Sequence, residues 1–360
     1  MLEQAYQFQL DGEPIFCTKY GNGHINLTYL LIDTTGRGYI AQRVNKNVFK
    51  DPESLMKNIV AVTTHLRRTV KDHRRVLTLI PTKDGGDWFV NGDGEYWRMY
   101  AFVSDSVCFE KASSPTVFRE SGVAFGRFQM QLADFPAQTL TETIPRFHDT
   151  PFRYAAFRKA VEADVCGHAK AVRRDIEFAL EREAYASTLM NLSASGDLPI
   201  RVTHNDAKLN NVLFDRETSK ALCVIDLDTV MPGLSVNDFG DSIRFGATTA
   251  AEDEPDLSKV EFSLPLFEAY TEGLLSESGK SLNGCEISCL RDGAKMMTLE
   301  CGVRFLTDYL SGDTYFHTKR QGQNLDRCRT QFKLVADMER HWEELQKIVL
   351  RNSPSCAGSI

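Results

Sequence analysis

The sequence predicts an α+β protein of two lobes, in which a small antiparallel sheet with one helix precedes a larger and mainly helical region. Residues 15–45 form short apolar runs broken by glycines, which is typical of antiparallel strands joined by turns. Long amphipathic segments begin after residue 115, and no low-complexity linker separates the two regions. We therefore expect an N-terminal lobe at residues 1–105, a C-terminal lobe at 106–350 and a flexible tail at 351–360.

Length and charge limit the classes of function that fit this chain. Its 360 residues are enough for two lobes of roughly 150 residues each. The 42 Lys and Arg stand against 49 Asp and Glu, and this net charge of -7 argues against nucleic acid or membranes as partners. Nine cysteines without paired C-x-x-C spacing indicate reduced thiols, and hence a cytoplasmic location. Since no heptad repeat is present, we expect a monomer.

One helix is predicted between the first strands and those that follow. Asp51 provides an N-cap, Pro52 suits the first helical position, and Glu53 suits the first turn. Strand signals return at residues 76–80, 87–90 and 96–103, where glycine-containing turns separate them. These segments complete the predicted N-terminal sheet.

The C-terminal lobe is predicted to be helical around a short hairpin. The hairpin strands lie at residues 212–214 and 221–228. Apolar residues at helical spacing mark the segments around them, at residues 115–135, 152–170, 172–192, 256–276, 288–310 and 325–351. Two lobes of this kind leave one obvious place for a ligand, which is the cleft between them.

The densest group of reactive side chains lies between residues 203 and 246. Asp206, Lys208 and Asn211 lie in a predicted loop before the first hairpin strand, and Asp226 lies in the second. Phosphoryl transfer needs a carboxylate to orient the attacking hydroxyl, a cation for the developing charge, and oxygen ligands for magnesium. We assign Asp206 as the catalytic base, Lys208 as the cation, and Asn211 with Asp226 as ligands of Mg2+.

Two further aspartates are assigned different roles. Asp228 is a third candidate metal ligand, because strand alternation would put it on the same face as Asp226. The Asp238-Phe239-Gly240 triplet looks like a metal-binding motif but lies well past the hairpin, so we expect Asp238 to cap the following helix or brace the loop. The alternative to these assignments is a polar loop in which Asp and Asn only form turns.

A glycine-containing turn at residues 20–26 is a second candidate site. Gly21, Asn22 and Gly23 stand between two strand signals, where glycine lets backbone amides approach the phosphates of ATP closely. Such a turn is by itself more often a simple hairpin connection. No G-x-x-x-x-G-K segment is present, so a Walker-type nucleotide site is not supported.

The loop resembles that of the aminoglycoside phosphotransferase and choline kinase group, which are protein-kinase-like enzymes acting on small molecules. Longer blocks resemble the N-acetylhexosamine 1-kinases of that group, and they span nearly the whole chain: residues 20–26, 141–151, 201–211, 224–233, 238–247 and 300–310. The resemblance implies a two-lobed protein-kinase-like fold. It also implies transfer of phosphate from ATP, with Mg2+, to the anomeric hydroxyl of N-acetylglucosamine or N-acetylgalactosamine, which gives the sugar 1-phosphate.

By position, the resemblance implies contacts to the sugar from five residues, namely His24, Asp206, Lys208, Arg304 and Tyr315. Without it, Glu300, Arg304 and Asp308 would be interpreted as a solvated row of ion pairs along one face of a helix. With it, the planar guanidinium of Arg304 suits the neighbouring oxygens of a sugar.

One position departs from the wider kinase pattern. Gln42 occupies the strand position where protein kinases place a lysine, and Arg43 faces the other way. We place Gln42 in the nucleotide site, although a neutral amide cannot neutralise phosphates. Two other hypotheses stay open: a related kinase acting on choline, homoserine, methylthioribose or an aminoglycoside, and a pseudokinase that binds nucleotide without turnover.

Overall fold

The computed structural model describes residues 2–21 and 25–354, and its N-terminal lobe contains a five-stranded antiparallel sheet. The strands are β1 (Pro14–Lys19), β2 (Leu27–Asp33), β3 (Gly38–Arg43), β4 (Phe89–Val90) and β5 (Tyr96–Ala101). They are arranged in the order β1-β2-β3-β5-β4. The lobe also contains two helices, α1 (Leu2–Ala5) and α2 (Pro52–Thr69). The predicted sheet with one long helix is confirmed.

The first turn of α2 follows from its sequence, whereas one predicted strand is wrong in extent. Asp51 Oδ1 accepts a hydrogen bond from the backbone N–H of Ser54 at 3.0 Å, and Pro52 is the first helical residue. Residues 76–80 do not form a strand. They pair with β5 through one isolated bridge between Leu79 and Tyr100, so the segment contacts the sheet without extending it.

Helices form most of the C-terminal lobe. They are α3 (Pro115–Gln131), α4 (Thr150–Ala163), α5 (Arg173–Leu180), α6 (Thr188–Ala194), α7 (Ser235–Gly246), α8 (Leu264–Ser278), α9 (Gly284–Ser288), α10 (Leu290–Leu310), α11 (Gln323–Arg340) and α12 (Trp342–Arg351). A 3-10 turn divides the predicted helix at residues 172–192, and His341 divides the one at 325–351. Within the described residues, no helix combines the length and apolarity needed to cross a membrane.

Two small sheets complete the C-terminal lobe. One contains β6 (Ser106–Cys108), β8 (Val212–Asp215) and β9 (Ala221–Val224), and the other pairs β7 (Arg201–Thr203) with β10 (Met231–Gly233). The predicted hairpin is confirmed as the antiparallel pair of β8 and β9. Because β9 ends at Val224, Asp226 and Asp228 lie in the turn that follows. The prediction that strand alternation puts Asp226 and Asp228 on the same face of a strand is therefore wrong.

The C-terminal end of the chain differs from the predicted tail. Helix α12 extends to Arg351, and only 4% of the surface of Ser353 is exposed. Residues 351–354 therefore pack as part of the helical lobe. The rest of the predicted tail, residues 355–360, lies outside the described residues.

Helices α7 and α10 cross at a backbone contact that requires glycine. A Cβ atom on Gly240 would lie 2.2 Å from the carbonyl oxygen of Gly293, and one on Gly293 would lie 2.2 Å from that of Val236. Gly240 belongs to the Asp238-Phe239-Gly240 triplet. The glycine of that triplet therefore serves the packing of two helices and not the approach of a metal or phosphate.

We expect Gly240→Ala to lower the free energy of unfolding by about 1–3 kcal/mol, because the added methyl group forces α7 away from α10. Gly284→Ala is the matched control, since nothing lies within 4 Å of its added Cβ atom. Urea unfolding of both variants measures the difference. Equal stability of the two variants would contradict the close helix crossing.

Candidate active site

A buried carboxylate fixes the loop between β7 and β8. Asp238 accepts hydrogen bonds from the backbone N–H groups of His204 and Asn205 at 2.8 and 2.7 Å. Asp238 is fully buried, and burial raises the pKa of its carboxyl. The prediction that Asp238 braces the loop is confirmed. It does not cap a helix, because α7 already begins at Ser235.

The His204 side chain joins this loop to the turn after β9. Its Nδ1 accepts a hydrogen bond from the backbone N–H of Asp206 at 3.3 Å, so Nε2 carries the proton and donates to the carbonyl oxygen of Ile225 at 2.9 Å. The hydroxyl of Thr229 donates to the carbonyl oxygen of His204 at 2.7 Å. Residues 204–211 and 225–229 are therefore held together from both sides.

Asp206 and Lys208 form an ion pair in the cleft. Lys208 Nζ lies 2.9 Å from Asp206 Oδ1, and both side chains are half-buried. Burial would raise the pKa of Asp206, but the Lys208 ammonium outweighs it and lowers that pKa. Burial would lower the pKa of Lys208, but Asp206 and Asp241 outweigh it and raise that pKa. Both groups are therefore charged at neutral pH.

Asn211 and Asp226 lie beside this pair. Asn211 Nδ2 donates to the backbone oxygen of Asp206 at 2.8 Å and to its Oδ2 at 3.1 Å. Asn211 Oδ1 therefore points away from Asp206 and can act as an acceptor. Asp226 has a left-handed backbone, with φ of 59°. Desolvation and the negative charges of Asp228 and Asp206 raise the pKa of Asp226 to about 6, although its side chain is open to the cleft.

These donors fit a divalent cation that is shared with a phosphate. Mg2+ typically takes one or two protein carboxylates and completes its shell with phosphate oxygens and water. The Asp226 carboxylate and Asn211 Oδ1 are oxygen donors of this kind, and a cation would relieve the repulsion on Asp226. Among the described residues, no three His, Cys, Asp or Glu side chains group as a metal site.

Asp228, the third predicted metal ligand, is occupied by protein groups. Its Oδ1 lies 2.5 Å from Arg98 Nη2 as an ion pair, and its Oδ2 accepts a hydrogen bond from Asn26 Nδ2 at 2.5 Å. Only 4% of the surface of Asp228 is exposed. Both oxygens are therefore engaged by the N-terminal lobe, which disfavours the predicted metal contact.

The predicted nucleotide-binding residues are only partly described. Gly21 ends the described part of its turn with a φ of 75°, which favours glycine, whereas Asn22, Gly23 and His24 lie outside the described residues. Gln42 is engaged at both ends of its amide by neighbouring strands. This pairing disfavours the direct contact with nucleotide that its position in the sequence predicts.

Arg304 lies among aromatic rings at one side of the cleft. Its guanidinium carbon is 5.4 Å from the ring centre of Phe147, 5.9 Å from that of Tyr315 and 5.4 Å from that of Phe316. No hydrogen bond or ion pair joins its guanidinium to another side chain in the part of the chain that the structure describes. Tyr315 is 69% exposed, so this group opens to solvent.

Glu300 and Asp308 do not form the ion-pair row that was the alternative for this helical face. Glu300 is fully buried and accepts hydrogen bonds from Thr150 Oγ1 at 2.7 Å and His148 Nδ1 at 3.1 Å. His148 Nε2 lies 3.2 Å from the carbonyl oxygen of Asn205. This chain of contacts joins α10, which carries Arg304, to the loop that holds Asp206.

Asp308 fixes the aromatic segment that contains Tyr315. Its carboxylate accepts hydrogen bonds from the backbone N–H groups of Thr314, Tyr315 and Phe316 at 2.8–2.9 Å. Asn324 Nδ2 donates a fourth, at 2.9 Å. Asp308 lies on α10, the helix that carries Arg304. The position of the Tyr315 ring next to Arg304 therefore depends on this buried carboxylate.

The sequence did not reveal several residues of this cleft. It does not single out Arg98 and Asn26 because their partner Asp228 is distant in the chain. Nor does it single out Phe147, whose ring lies beside Arg304. A signal for Arg98 was present, since an arginine in the middle of an apolar strand needs a buried partner. No comparable signal marks Asn26 in the sequence.

A match to a protein-family model identifies the class of protein. The profile of the phosphotransferase enzyme family, abbreviated APH, matches residues 17–272. The chain belongs to this family.

Solved structures of several kinases share the fold over almost the whole chain. A microcompartment-associated aminopropanol kinase is 15% identical, with 96% of this chain and 97% of that chain covered and a TM-score of 0.58. The amicoumacin kinase hAmiN, in complex with AMP-PNP, Ca2+ and Ami, is 13% identical, with 92% of each chain covered and a TM-score of 0.62. Choline kinase from Cryptosporidium parvum is 12% identical, with 93% and 91% covered and a TM-score of 0.57. The predicted two-lobed protein-kinase-like fold is confirmed.

We expect the stability of the protein without divalent cations to fall as Asp226 ionises. Its pKa is about 6 in the folded protein and about 3.9 in an unfolded chain, so the protonated carboxyl stabilises the fold fully below about pH 4. This stability is lost as the pH rises through about 6. Urea unfolding in EDTA should show that Asp226→Asn gains stability relative to the parent protein between pH 4 and 7.

Asp93→Asn is the matched control, because Asp93 lies on an exposed turn. Its unfolding midpoint should keep a constant difference from that of the parent protein over the same range. If Asp226→Asn behaves in the same way, the pKa of Asp226 is not raised.

Proposed function

We propose that this protein is an ATP- and Mg2+-dependent N-acetylhexosamine 1-kinase, which phosphorylates O1 of N-acetylglucosamine or N-acetylgalactosamine. The observation that carries the proposal is the Arg304 guanidinium, which is framed by aromatic rings and, among the described residues, has no carboxylate partner. Membership of the phosphotransferase family supports the chemistry. The guanidinium, which is unpaired among the described residues, and the exposed Tyr315 ring support a neutral acceptor that is rich in oxygen.

The positive charge around Arg304 favours a sugar over an amine. A cationic acceptor such as choline needs an acidic or aromatic surface free of competing positive charge. Here Glu300 and Asp308 are satisfied by protein donors. The positive charges of Arg304 and the neighbouring Arg153 remain. A planar guanidinium can donate to two neighbouring sugar oxygens at once, and the exposed ring of Tyr315 can pack against a sugar ring.

Asp206 serves in this proposal as the group that orients the attacking hydroxyl. As the O1–P bond forms and the bond from phosphorus to ADP breaks, the O1 proton passes to the Asp206 carboxylate. Lys208 lowers the pKa of Asp206, which makes the carboxylate a weak base. A weak base suits phosphoryl transfer, because in a loose transition state the proton moves late.

The cations of the site act on the phosphate. Lys208 is within 2.9 Å of Asp206, so a short movement brings its ammonium to a phosphoryl group next to O1, where it also contacts the sugar. Asn211 and Asp226 would hold Mg2+, which supplies positive charge to the phosphates. We assign the turn at Gly21, Asn22 and Gly23 to covering these phosphates, and His24 to contacting the sugar.

The same proposal includes the setting in which the protein works. We place it in the cytoplasm as a monomer, with ATP and an N-acetylhexosamine as partners and with neither nucleic acid nor membrane. The net charge of -7 supports the exclusion of nucleic acid and anionic membranes, because it disfavours binding to polyanions.

The experiment that tests this function measures ADP release with ATP and Mg2+ on a panel of acceptors. The panel contains N-acetylglucosamine, N-acetylgalactosamine, glucose, choline, homoserine, methylthioribose and kanamycin, and phosphorus NMR identifies each product. We expect a sugar 1-phosphate signal from the N-acetyl sugars. If only an amine is phosphorylated, the protein is a kinase but the proposed sugar acceptor is wrong. Nucleotide binding without any turnover would indicate a pseudokinase.

We expect Asp206→Ala to lower kcat by about 100- to 10,000-fold, because the hydroxyl then loses the carboxylate that orients it and takes its proton. Thermal unfolding of the variant controls for loss of fold. An active Asp206→Ala variant with normal stability would exclude Asp206 as the base.

We expect Arg304→Met to raise the KM for the sugar by about 10- to 100-fold, since it removes one or two charged hydrogen bonds. The KM for ATP should not change. Arg173→Met is the matched control, because its side chain is 80% exposed and pairs with Glu177 on the next turn of its own helix. An equal effect on both substrates would contradict a sugar contact.

A further inference from the structure

A closed set of contacts joins the N-terminal sheet to the turn after β9. Arg98 donates from Nε and Nη2 to Gln42 Oε1 at 3.0 and 2.8 Å, and its Nη2 lies 2.5 Å from Asp228 Oδ1. Gln42 Nε2 in turn donates to Thr28 Oγ1 at 3.0 Å. Asn26 Nδ2 completes the set by donating to Asp228 Oδ2. These contacts run from β2 through β3 and β5 to Asp228 and return to Asn26, which directly precedes β2.

We infer that Asn26, Gln42, Arg98 and Asp228 form an interlobe clamp that positions Asp226, and that Asp228 is not a metal ligand. Asp226 lies two residues before Asp228 in the same short turn. A contact that fixes Asp228 therefore restricts Asp226 as well. The inference rests on the metal-binding role that the proposed function gives to Asp226.

The contact with Arg98 explains why residue 42 is a glutamine and not a lysine. The two residues face each other in the register between β3 and β5. An amide can accept two hydrogen bonds from the guanidinium while it donates to Thr28, whereas a lysine at this position could only donate. A lysine would also place a second positive charge beside a buried arginine. The positive charge that protein kinases place on this strand is thus located on the neighbouring strand here.

Arg98 is committed to the protein and not to a ligand. Only 1% of its surface is exposed, and its Nη1 faces the sulfur of Met56 at 3.9 Å. Its other nitrogens contact Gln42 and Asp228. Turning the guanidinium toward a phosphate would leave Asp228 buried as an unpaired charge, which is strongly unfavourable. Arg98 is therefore a positioning residue.

Asn26 links the clamp to the glycine-containing turn. It is the last residue of that turn, and its Oδ1 accepts a hydrogen bond from the backbone N–H of Asn45 at 3.0 Å. Asn45 Nδ2 donates to the carbonyl oxygen of Ile25. The end of the turn and the segment after β3 are therefore fixed to the same carboxylate. The clamp therefore fixes this end of the turn in position relative to the turn that carries Asp226.

The test uses Arg98→Met, Asp228→Asn and the double variant of the full-length protein. Urea unfolding without ligands measures stability, and Mn2+ binding in the presence of AMP-PNP is followed by electron paramagnetic resonance. We expect each single variant to lower the unfolding midpoint and the double variant to lower it by less than the two effects combined. We also expect both single variants to weaken Mn2+ binding by about 10- to 100-fold, as for residues that orient metal ligands.

The sign of the Mn2+ effect distinguishes the clamp from a metal ligand. If Asp228 bound the metal, Arg98→Met would remove a competing charge and strengthen Mn2+ binding, while Asp228→Asn would weaken it. That result, or additive effects on unfolding, would overturn the inference. Arg43→Met is the matched control, because Arg43 adjoins Gln42 on the same strand and pairs with the half-exposed Glu95. It should leave Mn2+ binding unchanged.

Two milder variants keep the test decisive if Arg98→Met does not fold. Asn26→Ala retains the ion pair, and it should weaken Mn2+ binding with only a small change in the unfolding midpoint. Gln42→Lys should lower the midpoint and weaken Mn2+ binding. Tighter binding of AMP-PNP by Gln42→Lys at unchanged stability would show that the position accepts a nucleotide-binding lysine, and would overturn the clamp.

These readouts separate the clamp from the proposed function, because neither requires a sugar or turnover. If no acceptor is phosphorylated, coupling between Arg98 and Asp228 still supports the clamp. If a sugar is phosphorylated and that coupling is absent, only the clamp fails.

Discussion

The arrangement of the active site depends on the buried carboxylate of Asp238. A buried anion is unfavourable unless donors surround it, and here two backbone N–H groups of the loop meet that need. The loop in turn adopts a left-handed backbone at Asn205, with φ of 61°, a conformation that is unfavourable by about 1–3 kcal/mol for residues other than glycine. The hydrogen bonds to Asp238 and from the Asn205 amide to the carbonyl oxygen of Thr229 offset this strain. Asp206 follows directly, so its placement is fixed by the same bonds.

Three cationic side chains of the cleft differ in whether they are bound by protein groups or open to a ligand. Arg98 is held by Asp228 and Gln42 and is fully enclosed, and Lys208 is paired with Asp206 but half-exposed. The third, Arg304, contacts rings and no carboxylate among the described residues. The three groups therefore differ in how freely they can turn toward a substrate, and that order follows from burial and pairing together.

The parts of the site that the sequence predicts are those that are local in the chain. Asp206, Lys208 and Asn211 lie within six residues, so their spacing alone indicates one loop, and the Asp51 cap is equally local. Contacts between distant segments were not predictable in this way. The pairing of Arg98 with Asp228 depends on how two lobes meet. The turn at Asp226 depends on where β9 ends, which no periodicity marks.

Because Asp308 holds the backbone of the Tyr315 segment, the side chains of that segment can change independently of the loop that carries Asp206. The carboxylate binds backbone N–H groups, which every residue except proline possesses, so the side chains at positions 314–316 can be exchanged while the segment keeps its path. The loop carrying Asp206 is held by a different carboxylate on a different helix. Under the proposed function, residues 314–316 could therefore change the acceptor preference while the loop that carries Asp206 stays the same.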